Sequence, residues 1–491
     1  MSNPLVKQTG SALFWKTIQQ AGVNAIFLIR LVILARLLSP EDFGLLAIAV
    51  TAIGVLLNLT DFGMMPALIQ RTDANSHHYD TAWTIGLVRA LAITGVIFLA
   101  APTIAEIFAE PRAVDIIRTL AILPLIEAVA SIKVADLIRN LQFRSLAAAK
   151  LAGALANTIV SIILAHSLGV WALVIGTLAG PAIYAIISYI LAPHCPRLSF
   201  DRNAARPLIR YGRWIFLTSL IAMSGGAALR VVISRQLGVV ELGLYFLAAK
   251  LAFLPNEIAS EVIGEVAFPL YARLQTNIQQ AAHLFRVFFT GMLVLLTPVF
   301  ILMIVIIPSF VDNFLGPHWD GTIPLIRLLA GVGIIGIVGD AAVPVLKGFG
   351  QPYKFAGIEG AQSLLLIIFA WIFTERFGLI GAALAWFPAV AGALIASVVF
   401  LNQILSRPFA KFEMPILAIT IASGAGAVVA LGIDSLIHGL AGFVAASCLA
   451  VIVIVALLWV LDQRFNLRLF KDLARAFPQV SRLMGFTPSD V

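Results

Sequence analysis

The chain has 491 residues, 60% of them apolar and only 12% charged, with a mean hydropathy of +1.00 and a formal net charge of +8. Soluble domains carry about 25% charged residues, so the composition excludes a soluble enzyme and predicts a membrane protein with many spans. Cys195 and Cys448 are its two cysteines, too few for a disulfide framework or a metal cluster.

Apolar stretches of about 20 residues are long enough to span a bilayer. They predict an all-α fold of about fourteen transmembrane helices, near 11–38, 43–70, 81–105, 113–138, 146–167, 169–193, 213–238, 242–272, 283–310, 322–346, 353–375, 378–405, 412–434 and 438–461. The segment 1–20 is polar, is interrupted by Lys7 and Lys16 and has no small-residue cleavage site, so the first helix is expected to be retained. With the N-terminus inside, 22 of the 33 Lys and Arg fall on cytoplasmic ends and loops. That asymmetry predicts an even number of spans with both termini cytoplasmic, and it accounts for the positive balance without nucleic acid.

Domain limits follow from the polar breaks. A first six-helix bundle is expected over 1–195, a basic cytoplasmic linker over 196–212, a second bundle over 213–405, a helix pair over 406–462 and a tail over 463–491. In that tail Leu469, Phe470, Leu473 and Phe477 alternate with Arg468, Lys471 and Arg475, the pattern of a basic amphipathic helix on anionic membrane lipids. The two bundles echo each other at an offset of 199 residues. Arg36, Leu38, Asp42, Gly44 and Leu45 align with Arg235, Leu237, Glu241, Gly243 and Leu244, and Trp15 aligns with Trp214. A second echo pairs Leu168-Gly169 with Phe377-Gly378. A duplicated membrane fold with ionisable groups at depth points to a transporter, because such groups persist mainly along a polar path.

Three cations are predicted at one depth. Arg30 and Arg230 lie eight residues before the outer ends of helices 1 and 7, and Lys250 eight after the start of helix 8, each roughly 12 Å below the surface at 1.5 Å per residue. Guanidinium forks and an ammonium suit a diphosphate or an acidic sugar. The residues equally leave open that each snorkels outward or pairs within its own bundle. Asp61 in helix 2 and the stripe Glu257, Glu261 and Glu265 in helix 8 are the carboxylates at depth. Asp61, Glu257 and Glu261 are the candidates for ion coupling, whereas Glu265 reads as a hydrated helix end. Pro255 and Asn256 are placed to bend helix 8. Asp340 and Glu359 are expected to be paired or solvated beside the 347–354 loop, and His77-His78 lacks further ligands for a metal. A phosphate-cradling loop is absent, so neither ATP-driven transport nor a cofactor is expected.

The amphipathic first helix, the Arg36 to Gly44 element, Asp61-Phe62-Gly63 and Ala67-Leu68-Ile69-Gln70-Arg71 resemble the MOP flippase superfamily, specifically its Wzx-type, colanic-acid-exporter-like polysaccharide branch. That resemblance implies a V-shaped pair of six-helix bundles around a central cavity in the bacterial inner membrane. It implies a non-enzymatic exporter of undecaprenyl-diphosphate-linked oligosaccharide, coupled to a proton or sodium ion and working beside a polysaccharide polymerase and chain-length machinery. A MATE-like small-molecule antiporter with a predominantly acidic cavity is the alternative, and a membrane glycosyltransferase or polymerase a more distant one.

The topology is tested by an impermeant thiol reagent on intact cells. A cysteine introduced at Ser199 should stay unlabelled and one between Asp312 and Trp319 should react; the opposite pattern would overturn the orientation.

Overall fold

The computed structural model describes residues 4–59, 65, 68, 76–140, 142–199, 220–406, 408, 409, 412–465, 467, 469 and 470. Among them every regular element is helical: α1 Pro4–Leu37, α2 Pro40–Leu59, α3 Ser76–Ile107, α4 Ala113–Leu120, α5 Leu123–Val129, α6 Val134–Arg139, α7 Phe143–Leu168, α8 Val170–Leu191, α9 over 220–236, α10 Val239–Arg273, α11 Ile278–Phe310, α12 Thr322–Gly348, α13 Pro352–Leu384, α14 Trp386–Ile404, α15 Glu413–Leu436 and α16 Gly439–Phe465. Twelve described helices are long and apolar enough to cross a membrane. The expected count of about fourteen is thus matched by twelve among the described residues. The other two expected spans are the 113–138 run, which is broken into α4, α5 and α6, and 213–238, of which α9 is the described part. Large apolar side chains such as Leu99 and Leu436 stand about 80% exposed, as they do where the surrounding solvent is lipid.

In hydrocarbon every freed backbone group needs an internal partner, and both breaks in the 113–139 run have one. Pro124 enters the first turn of α5, and the Ala121 carbonyl beside it accepts the Thr94 hydroxyl at 2.7 Å. At the second break the Ser131 N–H donates to Ser188 Oγ at 2.8 Å, while the Ser131 hydroxyl donates to the Ala192 carbonyl at 2.6 Å.

The chain divides into two compact units, Met1–Gly243 and Leu244–Val491. In the first, α7 and α8 approach closely through glycine: a Cβ on Gly153 would sit 2.9 Å from the Gly180 carbonyl oxygen, and one on Gly180 would sit 3.0 Å from that of Gly153. Such small-residue contacts are the usual means of close helix packing in lipid. The segment 193–199 is tied to α3, with Asp80 accepting the Arg197 N–H and lying 3.2 Å from His194 Nε2. The unit boundary falls inside α10, beyond the expected linker at 196–212, most of which lies outside the described residues. Contacts to the first unit hold α9 there. Ser234 donates to the Phe108 carbonyl at 2.5 Å, Arg235 donates to that of Glu106 at 3.4 Å, and Arg230 donates to Thr51.

The internal repeat reappears as geometry. Gly44 lies so close to Val239 that an added Cβ would overlap the Val239 carbonyl oxygen, and Gly243 stands in the same relation to the carbonyl of Pro40. Gly44 and Gly243, like Pro40 and Val239, are 199 residues apart, so each copy of the motif packs its glycine on the helix start of the other. The acid of the motif has a structural task in the first copy: Asp42 Oδ2 accepts the Ser39 N–H at 3.0 Å and hydroxyl at 2.8 Å, a reciprocal cap at the start of α2. The second echo is also physical. Gly169 (φ 54°, ψ −128°) joins α7 to α8, and Gly378 (φ 59°, ψ −142°) kinks α13, a backbone conformation that glycine alone adopts readily.

In the second unit Phe285, Phe289, Phe409 and Phe412 form a stack of aromatic contacts. The α15–α16 pair packs on α11 through Ile419, Ala422, Ala446, Ala450 and Ile454. Asp462 ends that pair by accepting the N–H groups of Leu469 and Phe470. The remainder of the expected amphipathic tail, 471–491, lies outside the described residues.

The reciprocal crossing predicts that Gly44→Ala and Gly243→Ala each destabilise the protein by about 1–3 kcal/mol through overpacking against backbone. Gly95→Ala, where a Cβ meets nothing within 4 Å, should be neutral or slightly stabilising. Thermal unfolding of the purified variants in one detergent would show this, and equal midpoints for all three would refute it.

Candidate functional site

Each of the three cations expected at depth has a partner in its own unit. Arg30, on α1, donates to Asn157 Oδ1 on α7, and its guanidinium lies 5.6 Å from the Phe27 ring centroid. Arg230, on α9, donates to Thr51 Oγ1 on α2 at 3.1 Å, and Thr51 in turn donates to the Ala47 carbonyl. In the second unit Lys250 Nζ lies 3.7 Å from Glu257 Oε1, two turns along α10, with both side chains substantially exposed. Of the carboxylates, Asp61 lies outside the described residues, as does the side chain of Glu265. Glu261 is exposed on α10.

Glu257 lines a cavity of about 340 Å³ enclosed by α10, α12, α13 and α14 of the second unit. Asp340 from α12 and Glu359 from α13 line the same cavity, together with Asn256, Ser260 and Gln362. Both acids were expected to be paired or solvated beside the 347–354 loop; in the structure both line the cavity. The reason is helical phase. Asp340 is two turns before Lys347, and α12 runs unbroken through both, so Asp340 shares a wall with Gly336 and Gly339, and a Cβ on Gly339 would meet nothing within 4 Å.

Asp340 is held by neutral donors: Asn256 Nδ2 at 2.8 Å and the Ser260 hydroxyl. Asn256 also reaches the Gly333 carbonyl at 3.4 Å, so the residue expected to bend α10 serves as a bridge from α10 to α12. Glu359 lies within electrostatic reach of both Asp340 and Lys347, and the Lys347 ammonium sits 4.8 Å from the centroid of the Phe355 ring. Trp386 closes one side of the cavity, its Nε1 donating to Tyr245 Oη at 2.9 Å. A carboxylate held by amide and hydroxyl groups in an intramembrane cavity is suited to taking up a proton or a small cation. Among the described residues no three Asp, Glu, His or Cys side chains converge as metal ligands.

Sequence reasoning also missed Arg89 and Glu127, which face a second, smaller cavity in the first unit. Outside the membrane spans, Arg112 joins Glu110 and Glu41 at the start of α4. Hydrogen bonding from Arg112 holds the Glu110 carboxyl below the usual range.

Residues 33–324, more than half of the chain, match the family described as polysaccharide biosynthesis protein. The chain is 22% identical to the lipopolysaccharide biosynthesis protein WzxC of Escherichia coli K12, over 83% of this chain and 84% of that protein. It is 24% identical to the succinoglycan biosynthesis transport protein ExoT of Rhizobium meliloti, over 79% and 76%. Among solved structures, the lipid II flippase MurJ in an inward closed conformation superposes with a TM-score of 0.73 at 13% identity, covering 92% of this chain and all of that one. An inward-facing MATE transporter of the MOP superfamily gives 0.59 at 17% identity, over 81% and 98%. At these identities the two structures speak for the fold. The chain thus belongs to the polysaccharide biosynthesis protein family.

Proposed function

We infer that this protein is a flippase that carries polyprenyl-diphosphate-linked oligosaccharide from the inner to the outer leaflet of the bacterial inner membrane, with both termini in the cytoplasm. The observation that carries this reading is the unequal distribution of polar chemistry between the two units. The first holds Arg30 at depth on the neutral Asn157 and Arg230 against the Thr51 hydroxyl. The second holds the cavity lined by Glu257, Asp340 and Glu359. A guanidinium on an amide or hydroxyl keeps its full charge, so a diphosphate can replace those partners with gain. Family membership and the names of the relatives, which concern lipopolysaccharide, succinoglycan and teichuronic acid biosynthesis, point to the same class of cargo.

Ion coupling belongs, in this reading, to the second unit. Glu257, Asp340 and Glu359 are the groups that exchange protons, while Lys250 offsets the charge of Glu257 at the cavity edge. The role expected of Glu261 passes to Asp340 and Glu359, which share the cavity with Glu257. The coupling ion in this reading is a proton, and sodium is the other outcome of the test. The acidic cavity also favours a second reading, a cation antiporter of the MATE type. That reading leaves the cations of the first unit without a task.

Reconstitution separates these possibilities. Proteoliposomes containing a fluorescent undecaprenyl-diphosphate disaccharide should show protein-dependent translocation that a pH gradient accelerates. Arg30→Ala or Arg230→Ala should slow it by about tenfold or more, since the bound anion loses a charged donor. Glu257→Gln and Asp340→Asn should keep substrate binding but abolish the response to the gradient, because an amide matches a protonated carboxyl in size and cannot ionise. Efflux of a cationic dye without movement of the lipid would establish the antiporter instead.

A further inference from the structure

The cavity of the second unit holds polar atoms that proton exchange leaves unused. Asn256 donates through Nδ2 to Asp340 at 2.8 Å and to the Gly333 carbonyl at 3.4 Å. A carbonyl only accepts, which fixes the amide one way round and leaves its Oδ1 as a free acceptor. That oxygen is buried and, among the described residues, has no hydrogen-bond partner. Ser397 Oγ, on α14, is in the same position: the residue is fully buried and its hydroxyl is unpartnered. Thr51, Thr84 and Thr420 satisfy their hydroxyls on the carbonyl four residues back along the helix, whereas Ser397 does not. Asn256 and Ser397 both line the cavity. Buried polar atoms without partners cost stability, and two of them around one cavity mark a place for a hydrogen-bonding ligand.

Water would satisfy those two atoms equally well, and the rest of the lining separates the two occupants. Trp386 and Phe253 meet edge to face with ring centroids 5.3 Å apart, and both line the cavity. Trp386 Nε1 is committed to Tyr245 Oη at 2.9 Å, so the indole offers ring surface rather than a donor. Aromatic faces are negatively polarised and attract polarised C–H bonds. A sugar ring presents such bonds on its faces and hydroxyls at its rim. The cavity, of about 340 Å³, lies at the lower end of the ~300–1,000 Å³ of small-molecule sites, which suits a single sugar residue. Charge narrows the class further. Glu257, Asp340 and Glu359 line the cavity and no described Lys or Arg does, so a uronic acid or a phosphate is repelled, while hydroxyl and ammonium groups donate to the carboxylates.

We propose that the cavity of the second unit is a sugar subsite, taking an uncharged or amino sugar residue of the cargo whose hydroxyls pair with Asn256 Oδ1 and Ser397 Oγ and whose ring lies against Trp386. The subsite deepens the flippase reading and rests on it for calling the sugar cargo, but binding of free sugars tests it without any translocation.

The test uses the purified full chain in nanodiscs, with glucose, galactose, mannose, glucosamine and glucuronate as probes, read by saturation-transfer difference NMR and by thermal unfolding. At least one uncharged or amino sugar should bind saturably, with its strongest signals on ring C–H protons, and glucuronate should bind about tenfold more weakly or not at all. Ser397→Ala should weaken binding several-fold without lowering the unfolding midpoint of the sugar-free protein, because it removes an unpartnered hydroxyl; a hydroxyl with no ligand predicts unchanged affinity. Among single-deoxy analogues of the preferred sugar, one should bind the unmodified chain more weakly yet lose nothing further in Ser397→Ala. Trp386→Leu should weaken binding about tenfold, and Trp386→Phe, which keeps a ring, should weaken it less. Should Trp386→Leu fail to fold, Ser397→Ala and the glucuronate comparison still decide the matter. No saturable binding of any uncharged or amino sugar, a preference for glucuronate, or unchanged affinity in Ser397→Ala would each overturn the proposal. Saturable binding of tetraphenylphosphonium in place of the sugars would overturn it likewise and favour the antiporter. Sugar binding with these shifts but without translocation of the lipid-linked substrate would count against the flippase reading alone.

Discussion

A charge inside hydrocarbon needs a partner, and the partners this chain provides determine what it can do. Arg30 rests on Asn157, Arg230 on Thr51, Lys250 beside Glu257 and Asp340 on Asn256, each pair confined to one unit. Most of these partners are neutral. A neutral partner satisfies the hydrogen-bonding geometry of a charged group without cancelling its charge, so the group is tolerated in the membrane yet remains available to a stronger, ionised ligand. Full salt bridges at depth would make insertion easier but would leave the cations less available to phosphate.

That constraint shows why some of the molecule was legible in the sequence and some was not. Spans are a composition property, and the long apolar runs became helices close to their expected limits. The 199-residue offset was legible because backbone contact forces identity: Gly44 and Gly243 must both lack a side chain where each meets the other copy's helix start. Gly169 and Gly378 recur for the same kind of reason, a shared backbone conformation that other residues resist. Burial of charge was less legible. Asp340 and Glu359 read as loop-flanking acids because linear distance from Lys347 says nothing of helical phase, and the phase turns them onto the cavity beside Glu257. Arg89 escaped notice because Glu127, which lines the same cavity, is 38 residues away on a helix whose breaks the apolar pattern conceals.

Of the carboxylate stripe expected on helix 8, Glu257 lines the cavity and Glu261 is exposed on α10. Asn256, chosen from sequence as a bend beside Pro255, is the donor that joins α10 to Asp340, while α10 continues through Pro255 as one helix. The broken run 113–139 is the clearest departure from a uniform bundle. Its breaks are supported by Thr94, Ser131 and Ser188, side chains able to carry backbone partners in place of water. That irregular span lines the smaller cavity of the first unit through Pro124, Glu127 and Ala128. The second unit has its cavity between α10, α12, α13 and α14, with Gly339 on its wall.

The central claim is that the cations of the first unit exchange internal neutral partners for an anion of the cargo. Its most direct measurement is a pair of cryo-electron microscopy maps, of the empty protein and of the protein bound to an undecaprenyl-diphosphate oligosaccharide, at a resolution that places guanidinium groups. The account predicts Arg30 on Asn157 and Arg230 on Thr51 in the first map, and at least one of the two turned onto diphosphate oxygens in the second. Identical partners in both maps, with the diphosphate held elsewhere, would contradict it.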